Sequence, residues 1–215
     1  MAQAPLWPGK FPDPKVRELA AQGQLRRYPK GGLVIREGDT GDAVYLILSG
    51  KVKVYVSDAE GKEMILAAYA AGDYVGEMAL DGQARSASVA ALEPTACAVI
   101  ERETLRAAIH SDPDIAMRII ATLIGRQRAT TVSLKTLALM DVYGRVARLL
   151  LGLETVREAD GLHWSRERLT QQDIANRVGA SRDMISRILK ELRVGGYIAM
   201  RDKRFAILRR PPARW

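Results

Sequence analysis

Glu77 and Arg85 stand eight positions apart in the stretch GEMALDGQARSAS, residues 76–88, with glycine, alanine and serine filling most of the places around them. A guanidinium presents a planar fork of donors that grips a phosphate or carboxylate, and a carboxylate accepts from hydroxyls. Small residues let the backbone come close to whatever lies between. Two readings stay open on these residues alone. They form a receptor for a small anionic ligand, or they pair with each other in the core, which adds structural specificity more than stability.

A second constellation lies in LTQQDIANRVGASRDMISRILKEL, residues 169–192. Thr170 followed three residues on by Asp173 has the form of a capping box. Ile174, Ala175 and Val178 make a short apolar face, and Gly179 occupies the place of a left-handed cap. Ser181 then caps a second helix with Ile185, Ile188, Leu189 and Leu192 inward. Arg182, Asp183, Ser186, Arg187 and Lys190 face outward. Two short helices joined by a glycine turn are a helix-turn-helix. Arg182 and Arg187 are spaced to reach guanine edges in a major groove, and Asp183 to accept from a cytosine amino group. GGYIAMRDKRFAIL adds two short strands round a charged turn, as in a wing. An αα-hairpin with a solvated basic face is the alternative.

The elements that must hold these groups differ along the chain. Residues 1–25 contain several prolines and one short amphipathic stretch, DPKVRELAAQG, expected as a small helix. From about Arg26 to Ile100 the pattern has period two: Val52, Val54 and Val56 face one way, Lys51, Lys53 and Tyr55 the other. Strands bounded by glycine turns every 8–15 residues indicate an antiparallel sandwich or small barrel. From Asp112 the period is helical. Met117, Ile120, Ile124, Gln127, Thr131, Leu134 and Ala138 recur at alternating spacings of three and four. Such a heptad seam favours packing along a second copy over packing on the chain's own sheet. Gln127 and Thr131 place polar groups in it, which require partners if buried.

Charge separates the chain in the same way. Residues 1–140 hold 17 Lys/Arg and 16 Asp/Glu, a balance of +1; residues 141–215 hold 16 and 9, a balance of +7. A basic last third on a neutral remainder points to a polyanion, with a basic surface kept for solubility as the alternative. No apolar run is long enough for a membrane span, and the first residues lack the order of a secretory signal. A single cysteine, Cys97, excludes an internal disulfide and any multi-cysteine metal site, and a reducing cytoplasm is the simple reading. His110 and His163 have no clustered second ligand. That weighs against a cupin-like metalloenzyme on the barrel and against a haem sensor. No nucleophile elbow supports a hydrolase, so no catalytic residue and no required cofactor or metal is expected.

The quoted helix pair resembles the helix-turn-helix of the cyclic-AMP receptor protein/fumarate-nitrate regulator (CRP/FNR) family. The resemblance extends over about residues 26–210 and is strongest over 126–192. It implies an α+β chain. Residues 1–25 would be an N-terminal helical segment, 26–111 a jelly-roll-like antiparallel β-roll of cyclic-nucleotide-binding type, 112–140 a dimerisation helix, and 141–215 a winged helix-turn-helix. It further implies a homodimeric transcription regulator bound to a palindromic operator in double-stranded DNA and working with RNA polymerase. Residues matching Arg182, Asp183 and Arg187 read base edges; those matching Thr170, Gln172, Ser181 and Lys190 lie near phosphates. In the sensor, Glu77 would take a ribose hydroxyl, and Arg85 with Ser86 a cyclic phosphate, while Gly76, Met78 and Ala87 shape the pocket. GRQRATTVSLKTLALMDVYGRVARLLL matches the family's dimer helix without a gap. Arg126 there lies near the phosphate and Thr130 and Thr131 contact adenine, the second from the partner chain. Two departures stand out. Asp183 replaces a longer glutamate, and the Glu77–Arg85 spacing of eight is shorter than the family's nine or ten. The effector is therefore expected as a cyclic-AMP-like nucleotide, with a cyclic dinucleotide such as cyclic di-GMP, or no ligand, as alternatives.

Overall fold

The computed structural model describes residues 14–212. Residues 1–13, with most of the proline-rich start and its reading as lacking a secretory signal, and residues 213–215 lie outside the described residues. The chain divides into two units, one through Arg126 and one from Gln127.

The first unit begins with helix α1 (Pro14–Ala21). Strands β1 (Gln24–Tyr28), β2 (Leu33–Ile35), β3 (Ala43–Ser49), β4 (Lys51–Ser57), β5 (Glu63–Ala70) and β6 (Tyr74–Val75) follow, then a 3-10 turn (Glu77–Asp81), β7 (Ser88–Ala91) and β8 (Thr95–Glu101). Helix α2 (Arg102–Ser111) leads into the long α3 (Asp114–Leu139). The strands form two antiparallel four-stranded sheets, in the orders β1-β8-β3-β6 and β2-β7-β4-β5. Alternation along β3 and β8 decides the packing. Val44, Leu46, Leu48, Ala98 and Ile100 meet Leu105 of α2 and the α1 and α3 side chains Leu19, Ile115 and Ile119. Ile47 and Cys97 face the other way, onto Val52, Val75 and Val89. Helix α2 carries little sequence signal because Leu105 is its one buried residue.

Cys97 is fully buried, and desolvation pushes its thiol up to about 12. It should therefore stay protonated and unreactive toward a thiol reagent at pH 8 in the native protein. Stoichiometric labelling is expected only after denaturation; rapid labelling of folded protein would contradict this packing.

Helix α3 has two stripes. Ile115, Ile119, Thr122 and Arg126 are half-buried, whereas every seam residue from Met117 through Ile120, Ile124, Gln127, Thr131 and Leu134 to Ala138 is exposed. Met117 and Leu134 expose 62% and 65% of their surface.

The second unit continues from α3 with α4 (Val142–Leu151), β9 (Thr155–Arg157), β10 (His163–Ser165), α5 (Gln171–Val178), α6 (Arg182–Val194), β11 (Ile198–Arg201) and β12 (Arg204–Ile207). The Asp141 carboxylate caps α4 by accepting from Gly144 N at 2.7 Å. Its strands form one sheet, ordered β11-β12-β10-β9. Asp202 and Lys203, at φ 51° and 63°, close the β11–β12 hairpin in the left-handed conformation that two-residue turns favour. Val146, Leu150, Leu169, Ile174, Ile185 and Leu192 are among the residues of its core. The Arg145 guanidinium, on α4, donates to the carbonyls of Leu137 (3.3 Å) and Met140 (2.9 Å) at the end of α3. It also donates to Val178 O (2.8 Å) at the end of α5.

Candidate effector pocket and nucleic-acid interface

Glu77 and Arg85 do not pair with each other. Gly76 makes the division between them: its φ of +87° turns the chain, and a Cβ there would lie 2.8 Å from Arg85 Nη1 and 3.1 Å from Ala43 O. Only glycine fits both demands. Arg85 folds back beneath this turn, 7% exposed. Its Nη1 donates to Gly76 O at 2.6 Å and its Nη2 to Ala43 O at 2.8 Å, and it lies 5.9 Å from the Tyr45 ring centre. Among the described residues Arg85 is the only buried charged side chain, and no carboxylate lies within ion-pair distance of it. It lines a cavity of about 370 Å³ together with Tyr45, Arg26, Arg36, Asp39, Asp42 and Glu101.

Glu77 goes the other way. Its Oε1 accepts from Arg126 Nη1 at 2.8 Å, and Arg126 Nη2 donates to Tyr74 O at 2.5 Å. The Arg126 guanidinium lies 4.2 Å from the Tyr69 ring centre and 4.7 Å from that of Tyr74. Burial is the main cause that raises both tyrosine hydroxyls above their usual range, so both rings are neutral cation–π partners. The sequence reading missed this tyrosine pair and the Ala43 carbonyl, because contacts across tens of residues leave no mark in local spacing. Ser86 is exposed, with its hydroxyl 3.2 Å from Met78 Sδ; Met78 is exposed and Ala87 half-buried. Thr130 and Thr131 follow Arg126 one turn along α3, beyond the boundary between the units; both are exposed, and Thr131 Oγ1 donates to Gln127 O at 3.0 Å.

In the second unit the helix pair forms through local signals. Thr170 Oγ1 accepts from Asp173 N at 3.1 Å while the Asp173 carboxylate accepts from Thr170 N at 2.8 Å, a complete capping box. Gly179 ends α5 at φ 64°, and Ser181 caps α6 by accepting from Met184 N at 3.3 Å. Asp183, Ser186, Arg187 and Lys190 are exposed along α6, opposite its buried Ile185, Ile188, Leu189 and Leu192, and Arg182 is exposed at its first residue. Exposed Gln172 on α5 donates to Asn176 at 2.7 Å. The wing is braced on β10: Arg201 stacks 4.3 Å from the Trp164 ring centre, and Arg201 and Arg204 both pair with Glu158. The short strands β9 and β10, which support it, also escaped the sequence reading.

A two-sheet sensor carrying a buried arginine, and a separate winged helix-turn-helix, together define a DNA-binding transcription regulator. Comparison with known proteins agrees. The family model of the cyclic nucleotide-binding domain matches residues 25–112, and that of the Crp-like helix-turn-helix domain matches 144–212. The cAMP-activated global transcriptional regulator CRP of Escherichia coli O6:H1 is 34% identical over 91% of this chain and 94% of its own length. Its namesake from Pasteurella multocida is 37% identical over 84% and 88%. Among solved structures, the c-di-GMP responsive global regulator CLP of Xanthomonas campestris has a TM-score of 0.77 at 29% identity, covering 91% of this chain and 98% of that one. The chain belongs to the CRP/FNR family of transcription regulators, whose members matched here are regulators and not enzymes. No helix among the described residues is long and apolar enough to cross a membrane.

Proposed function

We propose that this regulator works as a cytoplasmic homodimer switched by a small anionic effector, a cyclic mononucleotide of cyclic-AMP type. The observation that carries the reading is Arg85, a buried guanidinium held by two neutral carbonyls at the edge of a cavity of about 370 Å³. Two bonds leave other donors of its five free for a phosphate, and a buried charge without a counter-ion is costly. In this reading Arg85 and Ser86 take the phosphate, with Arg126 near it, Glu77 takes the ribose hydroxyl, and Gly76, Met78 and Ala87 shape the site. Of these only Arg85 lines the cavity of about 370 Å³ in this structure, so the others would have to close round the ligand. Thr130 and the partner's threonine at position 131 meet the base. The exposed α3 seam, apolar apart from Gln127 and Thr131, supports dimerisation, since a monomer gains nothing from such a stripe in water. Effector binding would shift the population of dimers toward one that sets both α6 helices on successive major grooves, a coupling of roughly 1–3 kcal/mol. Arg182, Asp183 and Arg187 would then read bases, Thr170, Gln172, Ser181 and Lys190 would bind phosphates, and the bound dimer would act with RNA polymerase. The domain limits that go with this reading are 1–25, 26–111, 112–140 and 141–215.

A second reading rests on the other charges of the cavity. Asp39, Asp42 and Glu101 beside Arg26, Arg36 and Arg85 suit a guanine base, whose N1–H and exocyclic amino group meet a carboxylate and whose O6 and N7 meet arginine. The similarity to a regulator described as c-di-GMP responsive supports it. Calorimetry with cyclic AMP, cyclic GMP and cyclic di-GMP, paired with operator binding, separates the readings. Saturable heat with cyclic AMP and raised DNA affinity is expected. Response to cyclic di-GMP alone would favour the second reading, and DNA binding indifferent to all three would make the protein a constitutive dimer.

A further inference from the structure

A second cavity, of about 170 Å³, lies behind Glu77 within the first unit. Its walls are Leu19 of α1, Val44 and Leu46 of β3, Leu105 of α2, and Ile119 of α3, with Tyr74 beside them. Natural cores rarely keep voids larger than a water molecule. This space is partly open to solvent, unlike the sealed engineered cavities of about this size that stay dry and take up benzene. The polar groups here gather on a few residues: Glu77, Thr122 and Arg118 also line the space. Arg126 engages only Oε1 of Glu77, so Oε2 remains as an acceptor.

We infer that this cavity is a binding site for a small uncharged molecule with an apolar body and a single hydroxyl or N–H donor, of phenol or indole type. The body replaces solvent against the aliphatic walls, and the donor is accepted by Glu77. A charged ligand is disfavoured, because its solvation would be lost against walls that offer little in return. Tyr74 ties the cavity wall to Arg126. Its ring lines the cavity, its hydroxyl donates to Ile119 O at 3.4 Å, and its carbonyl accepts from Arg126. Glu77 is shared with the proposed nucleotide site, but Arg85 takes no part in this cavity, so binding here can be tested apart from nucleotide binding.

Ligand-detected NMR with phenol, indole and fluorobenzene on the full-length protein tests it. Phenol and indole should bind saturably and raise the melting temperature, with fluorobenzene, which has no donor, weaker by several-fold. Filling the space by Val44→Phe, or more mildly by Val44→Ile, should abolish or reduce binding in step with the volume lost. Arg85→Gln should leave it unchanged. No saturable binding of any probe, binding that persists in folded cavity-filling variants, or binding lost in folded Arg85→Gln would overturn the inference. A failure to bind cyclic nucleotides would leave these results as they stand and bear only on the Arg85 site.

Discussion

Arg182→Ala is expected to weaken binding to the selected operator by about 1–3 kcal/mol and to blur preference at one base position in each half-site. The side chain is exposed at the first residue of α6, where the open N-terminal end of the helix leaves it uncovered although it follows the same face as Ile185 and Leu189. Its removal therefore costs contacts with DNA and almost none within the fold. Lys190, two turns further along, is expected to act as a phosphate contact. Lys190→Ala should weaken all duplexes to a similar extent and reduce the salt dependence of binding by about one unit of slope. Selection from random duplexes followed by titration of both variants at two salt concentrations separates the roles. Equal losses for the two variants on selected and random sequences would remove the distinction between base reader and phosphate contact.

Arg85→Gln should cost cyclic-nucleotide affinity by a factor of about 10–150, since hydrogen bonds to a charged group contribute about 1.5–3 kcal/mol each. The neutral amide can still donate to Gly76 O or Ala43 O, so the folded sensor should survive with a lowered melting temperature. Glu77→Gln provides the contrast. It removes the counter-charge of Arg126 and should disturb the Tyr69–Arg126–Tyr74 stack as well as ligand binding. Calorimetry on both variants, together with operator binding in the absence of nucleotide, reads the two effects apart. Wild-type nucleotide affinity in Arg85→Gln would move the effector site elsewhere.

The two units were unequally legible in the sequence. Thr170, Asp173, Gly179 and Ser181 act within a few residues of themselves, so caps, turn and the outward face of α6 could be read directly. Period two revealed the strands of the first unit, but not that β1 would pair with β8 or β2 with β7, because those pairings join residues more than fifty positions apart. Separations of 42 and 49 positions likewise hid the partners of the charged pair. A spacing of eight suggests that Glu77 and Arg85 meet one ligand or each other. They do not pair with each other: Glu77 bonds Arg126 and Arg85 bonds the Ala43 carbonyl. On α3 the seam and the inward stripe overlap in sequence, and only the fold shows that Ile115, Ile119 and Thr122 serve the sensor while the heptad positions stay open.

The bonds made by Arg145 bear on how motion at the end of the long helix is passed on. One side chain bonds carbonyls at the ends of α3 and of α5, so the end of the long helix and the first helix of the DNA-binding pair share a single anchor. A guanidinium keeps its charge far above neutral pH. A histidine at the same place, with at most two ring donors, could not make these three bonds at once.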